Sequence, residues 1–156
     1  MAKVHTEVRI LDGERQEFVE QAEQFVSWYA EKEEFALSRA EVRPETYRQL
    51  RAIETSGGGK MEEVAEALDL TAGQAGRVVV ELAKQGWVKT IGSSEDKRPR
   101  RVEVTEEGKK MLAVCKQVKE EVMARVVCSK DQKARERMLE ALKELNGLGR
   151  GVADGV

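Results

Sequence analysis

The sequence predicts a mainly α-helical chain that carries one small β-hairpin, and three observations support this. Charged residues make up 36% of the 156 and aromatics only 4%, with Ala, Leu, Val, Glu and Lys prominent, which favours soluble helical structure. Apolar residues recur at helical spacing from residue 14 to residue 145. That pattern is interrupted by two alternating stretches, residues 87–91 and 101–104, on either side of a polar, basic loop.

Residues 1–12 form a polar arm in which Val4, Thr6, Val8 and Ile10 alternate weakly, as in a short strand. A long helix follows over 14–37, with Phe18, Ala22, Phe25, Trp28, Tyr29 and Phe35 near one face, a stripe that suits a core or a face between two chains. Arg43-Pro44-Glu45-Thr46 starts a second helix, since proline fits the first turn; it runs to about Thr55 and buries Tyr47, Leu50 and Ile53. Ser56-Gly57-Gly58-Gly59 reads as a flexible turn. It is not a phosphate-binding loop, because Gly59-Lys60 is followed by Met61 where that loop needs Ser or Thr.

A short helix over 61–68 presents Val64, Ala65 and Leu68, and Asp69-Leu70 makes the turn. Thr71 is the N-cap of a helix to about Gln85 whose buried stripe is Ala75, Val78, Val79 and Leu82, and Gly86 stops it. After the hairpin, Thr105 caps a helix that reaches about Val127 with Met111, Val114, Cys115, Val118, Val122 and Val126 as its stripe, and Glu106 and Glu107 favour its first turn. A last helix over about 130–145 buries Ala134, Met138, Leu142 and Leu145, and the glycine-rich residues beyond it fray.

Composition excludes several functions. With 27 Lys and Arg against 29 Asp and Glu, the chain is not cationic overall, so a nucleic-acid surface must come from local clustering. No apolar run reaches the roughly 20 residues of a membrane span, and no signal-peptide core is present, so the expected location is the cytoplasm. Cys115 and Cys128 form no CxxC pair, and the single histidine, His5, leaves no zinc site; no cofactor or metal is expected. Neither a nucleophile motif nor an acid pair is evident, so the chain is not expected to be an enzyme.

Two short helices, a tight turn and a following hairpin form the order of a winged helix-turn-helix. The second helix of such a unit enters the DNA major groove and the hairpin tip reaches phosphates or the minor groove. Thr71, Gln74 and Arg77 lie opposite the buried stripe; glutamine suits adenine and arginine suits guanine or phosphate. The tip, Asp96-Lys97-Arg98-Pro99-Arg100-Arg101, is a concentrated cation run of the kind a narrow minor groove attracts.

Three stretches resemble the MarR family of transcriptional regulators: residues 64–71 at the helix-turn-helix, residues 77–88 spanning recognition helix, glycine stop and strand, and Asp96-Lys97-Arg98 followed by Val102, Val104, Thr105 and Gly108. The resemblance implies a homodimer built from residues 1–43 (arm and long helix) and 105–148, a DNA-binding lobe over 44–104, and a disordered tail over 149–156. It implies a cytoplasmic repressor that binds double-stranded DNA at a pseudo-palindromic operator and is released by a small aromatic or anionic effector, with Trp28, Tyr29 and Tyr47 as candidate pocket residues. By position, Gly73, Gln74, Gly76 and Arg77 carry the recognition-helix contacts; Arg98 enters the minor groove and Asp96 orients it, with Lys97, Arg100 and Arg101 beside them. The chain departs from the family's usual Ser or Thr at Gly73, Gln74 and Gly76, and from its usual basic residue at Glu81. The alternative reading is therefore a winged-helix protein-interaction module whose DNA binding is weak or lost. Of the cysteines, Cys115 reads as a small buried hydrophobe and Cys128 as exposed.

Overall fold

The computed structural model describes residues 12–92 and 100–151. The chain runs α1 (Asp12–Ser38), α2 (Pro44–Ser56), β1 (Gly59–Lys60), α3 (Met61–Leu68), α4 (Ala72–Lys84), β2 (Val88–Ile91), β3 (Arg101–Val104), α5 (Glu106–Val127) and α6 (Gln132–Gly151). The expected arm, the wing residues Asp96, Lys97 and Arg98, and the last residues of the tail lie outside the described residues.

The expected hairpin is part of a three-stranded antiparallel sheet of order β1-β3-β2. In β2 and β3, Val88 opposes Val104 and Ile91 opposes Arg101; in β1 and β3, Gly59 opposes Val102 and Lys60 opposes Arg101. The glycine run before β1 is thus no flexible turn. Gly57 ends α2 in the left-handed conformation (φ 77°), where a side chain is costly. Gly58 lies so close to β3 that a Cβ there would collide with the Val102 carbonyl oxygen. Glycine is needed to bring the backbone of β1 alongside β3.

One core, inside the lobe, joins Leu50 and Ile53 of α2, Val64 of α3, Val79 and Leu82 of α4, Val88 of β2 and Val102 of β3. A second joins Leu37, Val42, Tyr47 and Cys115 between α1, α2 and α5, and the half-buried Trp87 and Leu112 touch both. Burial pushes the Cys115 thiol pKa up, as for a packing residue, while Cys128 is exposed.

A knot of backbone contacts holds α5 to the lobe. The Thr105 N–H donates to the Trp87 carbonyl (2.9 Å), its hydroxyl donates to the Gly86 carbonyl (2.5 Å), and its oxygen accepts from Gly108 N–H (3.1 Å). Gly108 is buried, and a Cβ there would strike the Trp87 carbonyl. α1 is held by charge. Glu33, 6% exposed, is the buried charged residue of the described chain. Its carboxylate accepts from Lys119 Nζ of α5 (2.5 Å) and from Arg48 Nη1 of α2 (2.9 Å).

Of the two readings open for the α1 stripe, a core within the chain is not what is found, and the expected burial in α6 is corrected. In α1 the residues that pack inside the chain are Glu33, Ala36 and Leu37, whereas Phe18, Phe25 and Phe35 are 61%, 44% and 59% exposed. In α6, Met138, Leu142 and Leu145 are exposed as well. An amphipathic stripe records that a helix needs an apolar neighbour but not which chain supplies it, and among the described residues no element covers these faces. α6 also continues to Gly151, beyond the expected end near Leu145 and into the expected tail; about 1 kcal/mol per glycine is too little for Gly147 and Gly149 to stop it. Among the described residues no helix is long and apolar enough to cross a membrane.

Glu33→Ala leaves Lys119 without its carboxylate in a half-buried site and should lower unfolding free energy by about 3 kcal/mol, measured by urea denaturation at neutral pH. Burial acts to lower the Lys119 pKa, but the hydrogen bond to Glu33 together with the smaller contributions of Tyr29 and Tyr47 more than offsets it, and the net shift is upward. A raised lysine pKa stabilises the fold fully below the unfolded value of about 10.4 and ceases to do so as pH climbs through the folded value. The gap between wild type and variant should therefore hold through neutral pH and narrow above it on the alkaline side; a gap independent of pH there would show that Lys119 is not the partner that matters.

Candidate nucleic-acid interface

The start of α4 is set by a reciprocal cap. Thr71 Oγ1 accepts from the Gln74 N–H (3.3 Å), and Gln74 Oε1 accepts from the Thr71 N–H (3.0 Å) and lies 3.0 Å from the Thr71 hydroxyl. This is a capping box that satisfies donors otherwise left free at a helix start. It also changes how Gln74 is read. A bidentate pair with adenine uses both the amide oxygen and the amide nitrogen. Here the oxygen is engaged by backbone and hydroxyl, so the free group is the NH2 alone.

Within α4, Gly73 is exposed and Gly76 half-buried, and a Cβ added at either meets nothing. Packing inside the chain therefore does not demand glycine at either position. Arg77 is exposed, with no ion pair or hydrogen bond among the described residues. The anticipated alternative, an internal pair with Glu95 or Asp96, involves residues outside the described set. Glu81 is engaged by Lys84 (2.7 Å), which neutralises the acid near the end of this helix.

At the sheet, Arg100 and Arg101 are exposed where β3 begins. Lys60, reached in sequence reading only as part of a rejected phosphate loop, stands across from Arg101. The structure thus brings together Arg101 and Lys60 at the foot of the wing, on the same lobe as Thr71, Gln74 and Arg77 of α4.

The candidate effector residues separate. Tyr29 and Tyr47 come together around Lys119, whose ammonium lies 4.6 Å from the Tyr47 ring centroid and 5.7 Å from that of Tyr29. They line a shallow cleft of about 230 Å³ with Lys116, Glu120 and Met123. Trp28 is not part of it and packs instead against Phe25, ring centroids 5.8 Å apart. Lys119 escaped sequence reading, although its position one turn beyond Cys115 puts it on the buried side of α5. Among the described residues no group of acids, cysteines and histidine could hold a metal ion.

Residues 41–99 match the model of the MarR family. No curated protein matches the chain. Among solved structures, the chain is similar to the YusO protein of Bacillus subtilis (TM-score 0.67, 16% identity, covering 91% of this chain and 99% of that one). It is similar to transcriptional regulator Tm0710 of Thermotoga maritima (TM-score 0.68, 17% identity, 89% and 99%). It is also similar to a mutant of S. aureus MepR solved with a bound oligodeoxyribonucleotide (TM-score 0.63, 15% identity, 83% and 96%). These likenesses establish a shared fold, a mainly α chain with a winged helix-turn-helix.

Two stability tests separate structural from interface roles on α4. Gly73→Ala and Gly76→Ala should each raise unfolding free energy by about 1 kcal/mol, since alanine gains helix propensity without a clash; destabilisation by either would reveal an internal constraint on the glycine. Gln74→Ala should lower it by about 0.5–1 kcal/mol through loss of the cap. An unchanged melting temperature would mean that Gln74 is free for DNA rather than tied to Thr71.

Proposed function

With a winged-helix lobe of the MarR family over residues 41–99 as premise, we propose that this chain is a sequence-specific DNA-binding transcriptional repressor that acts as a cytoplasmic homodimer. The observation that carries the reading is the cation set on one lobe, Arg77, Lys60, Arg100 and Arg101: all are exposed, and none is engaged by a carboxylate among the described residues. Unpaired cations grouped on a chain of net charge −2 are an electrostatic footprint for phosphates. Arg98 completes the wing by entering the minor groove, and Asp96 orients it.

The dimer is supported by the apolar faces that a single chain leaves in water. Phe18, Val19, Phe25 and Val26 of α1 and Leu139, Leu142, Leu145 and Leu148 of α6 are all exposed, and covering such area yields about 25 cal/mol per Å². A second copy that covers these faces sets two lobes about 34 Å apart, one DNA turn, on a pseudo-palindromic operator. The Tyr29–Tyr47–Lys119 cleft suits a small aromatic anion as effector, with stacking from the rings and charge from the lysines.

A second reading, an interaction module with little DNA affinity, is favoured by one observation: α4 offers bases two glycines and a glutamine engaged in its own cap. Titration of duplex DNA at two salt concentrations separates the readings. Binding should weaken steeply as salt rises, and Arg98→Ala should weaken it at least tenfold while sedimentation still shows a dimer. No binding by the wild type at low salt would overturn the first reading.

A further inference from the structure

The β1–β3 register sets two like charges against each other. Lys60 is directly opposite Arg101, and Arg101 is opposite Ile91 on its other side, so these three residues form one row across the sheet. Directly opposed side chains leave the same face with Cβ atoms about 5 Å apart, and like charges so placed destabilise a sheet. The repulsion is not relieved from within. The next residue along that face of β3, Glu103, is opposite Lys89 rather than Lys60. Of the two acids that follow Lys60, Glu62 forms no ion pair with it, and Glu63 turns its carboxylate back to accept from the Lys60 backbone N–H at 2.6 Å. Both cations are exposed, and neither side chain has an ion-pair partner among the described residues.

The cost is fixed by design of the backbone rather than by chance contact of mobile side chains. Gly57, Gly58 and Gly59 all hold positive φ, and only a glycine at 58 lets β1 approach β3 closely enough to place Lys60 against Arg101. A pair of cations held together at internal cost is stabilised by an anion that both can reach.

We propose that Lys60 and Arg101 form a clamp on a single backbone phosphate at the foot of the wing. The inference rests on the DNA-binding reading above and deepens it, since it assigns Arg101 to the backbone rather than to bases and adds Lys60 to the interface. Arginine supplies a planar fork for two phosphate oxygens, and lysine supplies a mobile point charge for the third. Such a contact fixes where the wing enters the groove and carries no sequence information.

The test uses full-length protein and random-sequence duplex DNA, with affinity measured from low to high salt for wild type, Lys60→Gln, Arg101→Gln and the double variant. One lost phosphate contact should make the slope of log K against log salt shallower by about 0.9, which amounts to about an eightfold change per tenfold change in salt. Each single variant should show most of that loss, and the double variant little more. The melting temperature of Lys60→Gln should stay level or rise, because a repulsion has been removed. If the wild type binds DNA and the double variant keeps its slope, the clamp is wrong and the DNA-binding reading survives. A double variant that loses about twice the slope of either single variant would assign each cation its own phosphate and also overturn the clamp. If the wild type binds no duplex DNA at low salt, the reading and the clamp fall together. Should the double variant fail to fold, Lys60→Gln alone, at an exposed position, decides the outcome.

Discussion

The arrangement of the helices depends on a buried carboxylate. Glu33 lies at 6% exposure, where an isolated negative charge would cost several kcal/mol, and it is held there by Lys119 and Arg48. Each of the three residues belongs to a different helix, so the node sets α1 against α2 and α5 at once. Lys119 is placed twice over, by Glu33 and by the face of Tyr47. The cleft beside it is therefore a consequence of the same constraint: the ring and the ammonium that line it are where they are because the carboxylate must be neutralised.

A second constraint acts at the other end of α5. Thr105 donates to the carbonyls of Gly86 and Trp87 and accepts from the Gly108 N–H, which brings Gly108 so close to the Trp87 carbonyl that no side chain fits at position 108. Trp87 in turn touches both cores. The lobe is thus attached to the long helices through a tight backbone junction near Gly108 and through an ion-pair node near Glu33. Between them, α5 has little freedom to move without the lobe, and the sheet that carries the wing follows α5 directly through β3.

The sequence made legible whatever is decided locally. Proline at the start of α2, Thr71 and Thr105 as caps, and the glycine at 86 gave boundaries within a few residues, because caps and periodicity act over one turn. Strand β1 was not legible: two residues hold no alternation, and the strand exists only because β3 passes beside it. The exposed stripes of α1 and α6 were legible as apolar but not as unburied, since periodicity cannot say which molecule covers a face. Gln74 shows a different kind of miss. Thr71-x-x-Gln74 carries the spacing of a capping box, yet the same glutamine also suits adenine, and only geometry decides which bond its oxygen makes. The wing residues that carried the strongest resemblance, Asp96 to Arg98, lie outside the described residues, and the candidate site within them consists of the foot of the hairpin and α4.

The distribution of charge across the lobe separates two quantities that DNA-binding proteins usually combine in one helix. α4 carries Gly73, Gly76 and a glutamine tied to its cap, leaving Arg77 as the free cation. At the sheet, Lys60, Arg100 and Arg101 supply charge from positions that the strand register fixes. Contacts to phosphate supply affinity and register, whereas base edges supply discrimination. Glycine at positions 73 and 76 would allow the backbone of α4 to approach the groove floor more closely there than serine or threonine would. Close approach is sensitive to groove width and therefore to DNA shape. If the proposed DNA-binding function holds, discrimination in this lobe would rest on which sequences let α4 seat at full depth while the sheet cations hold the backbone, and affinity and specificity would be carried by different elements of one small fold.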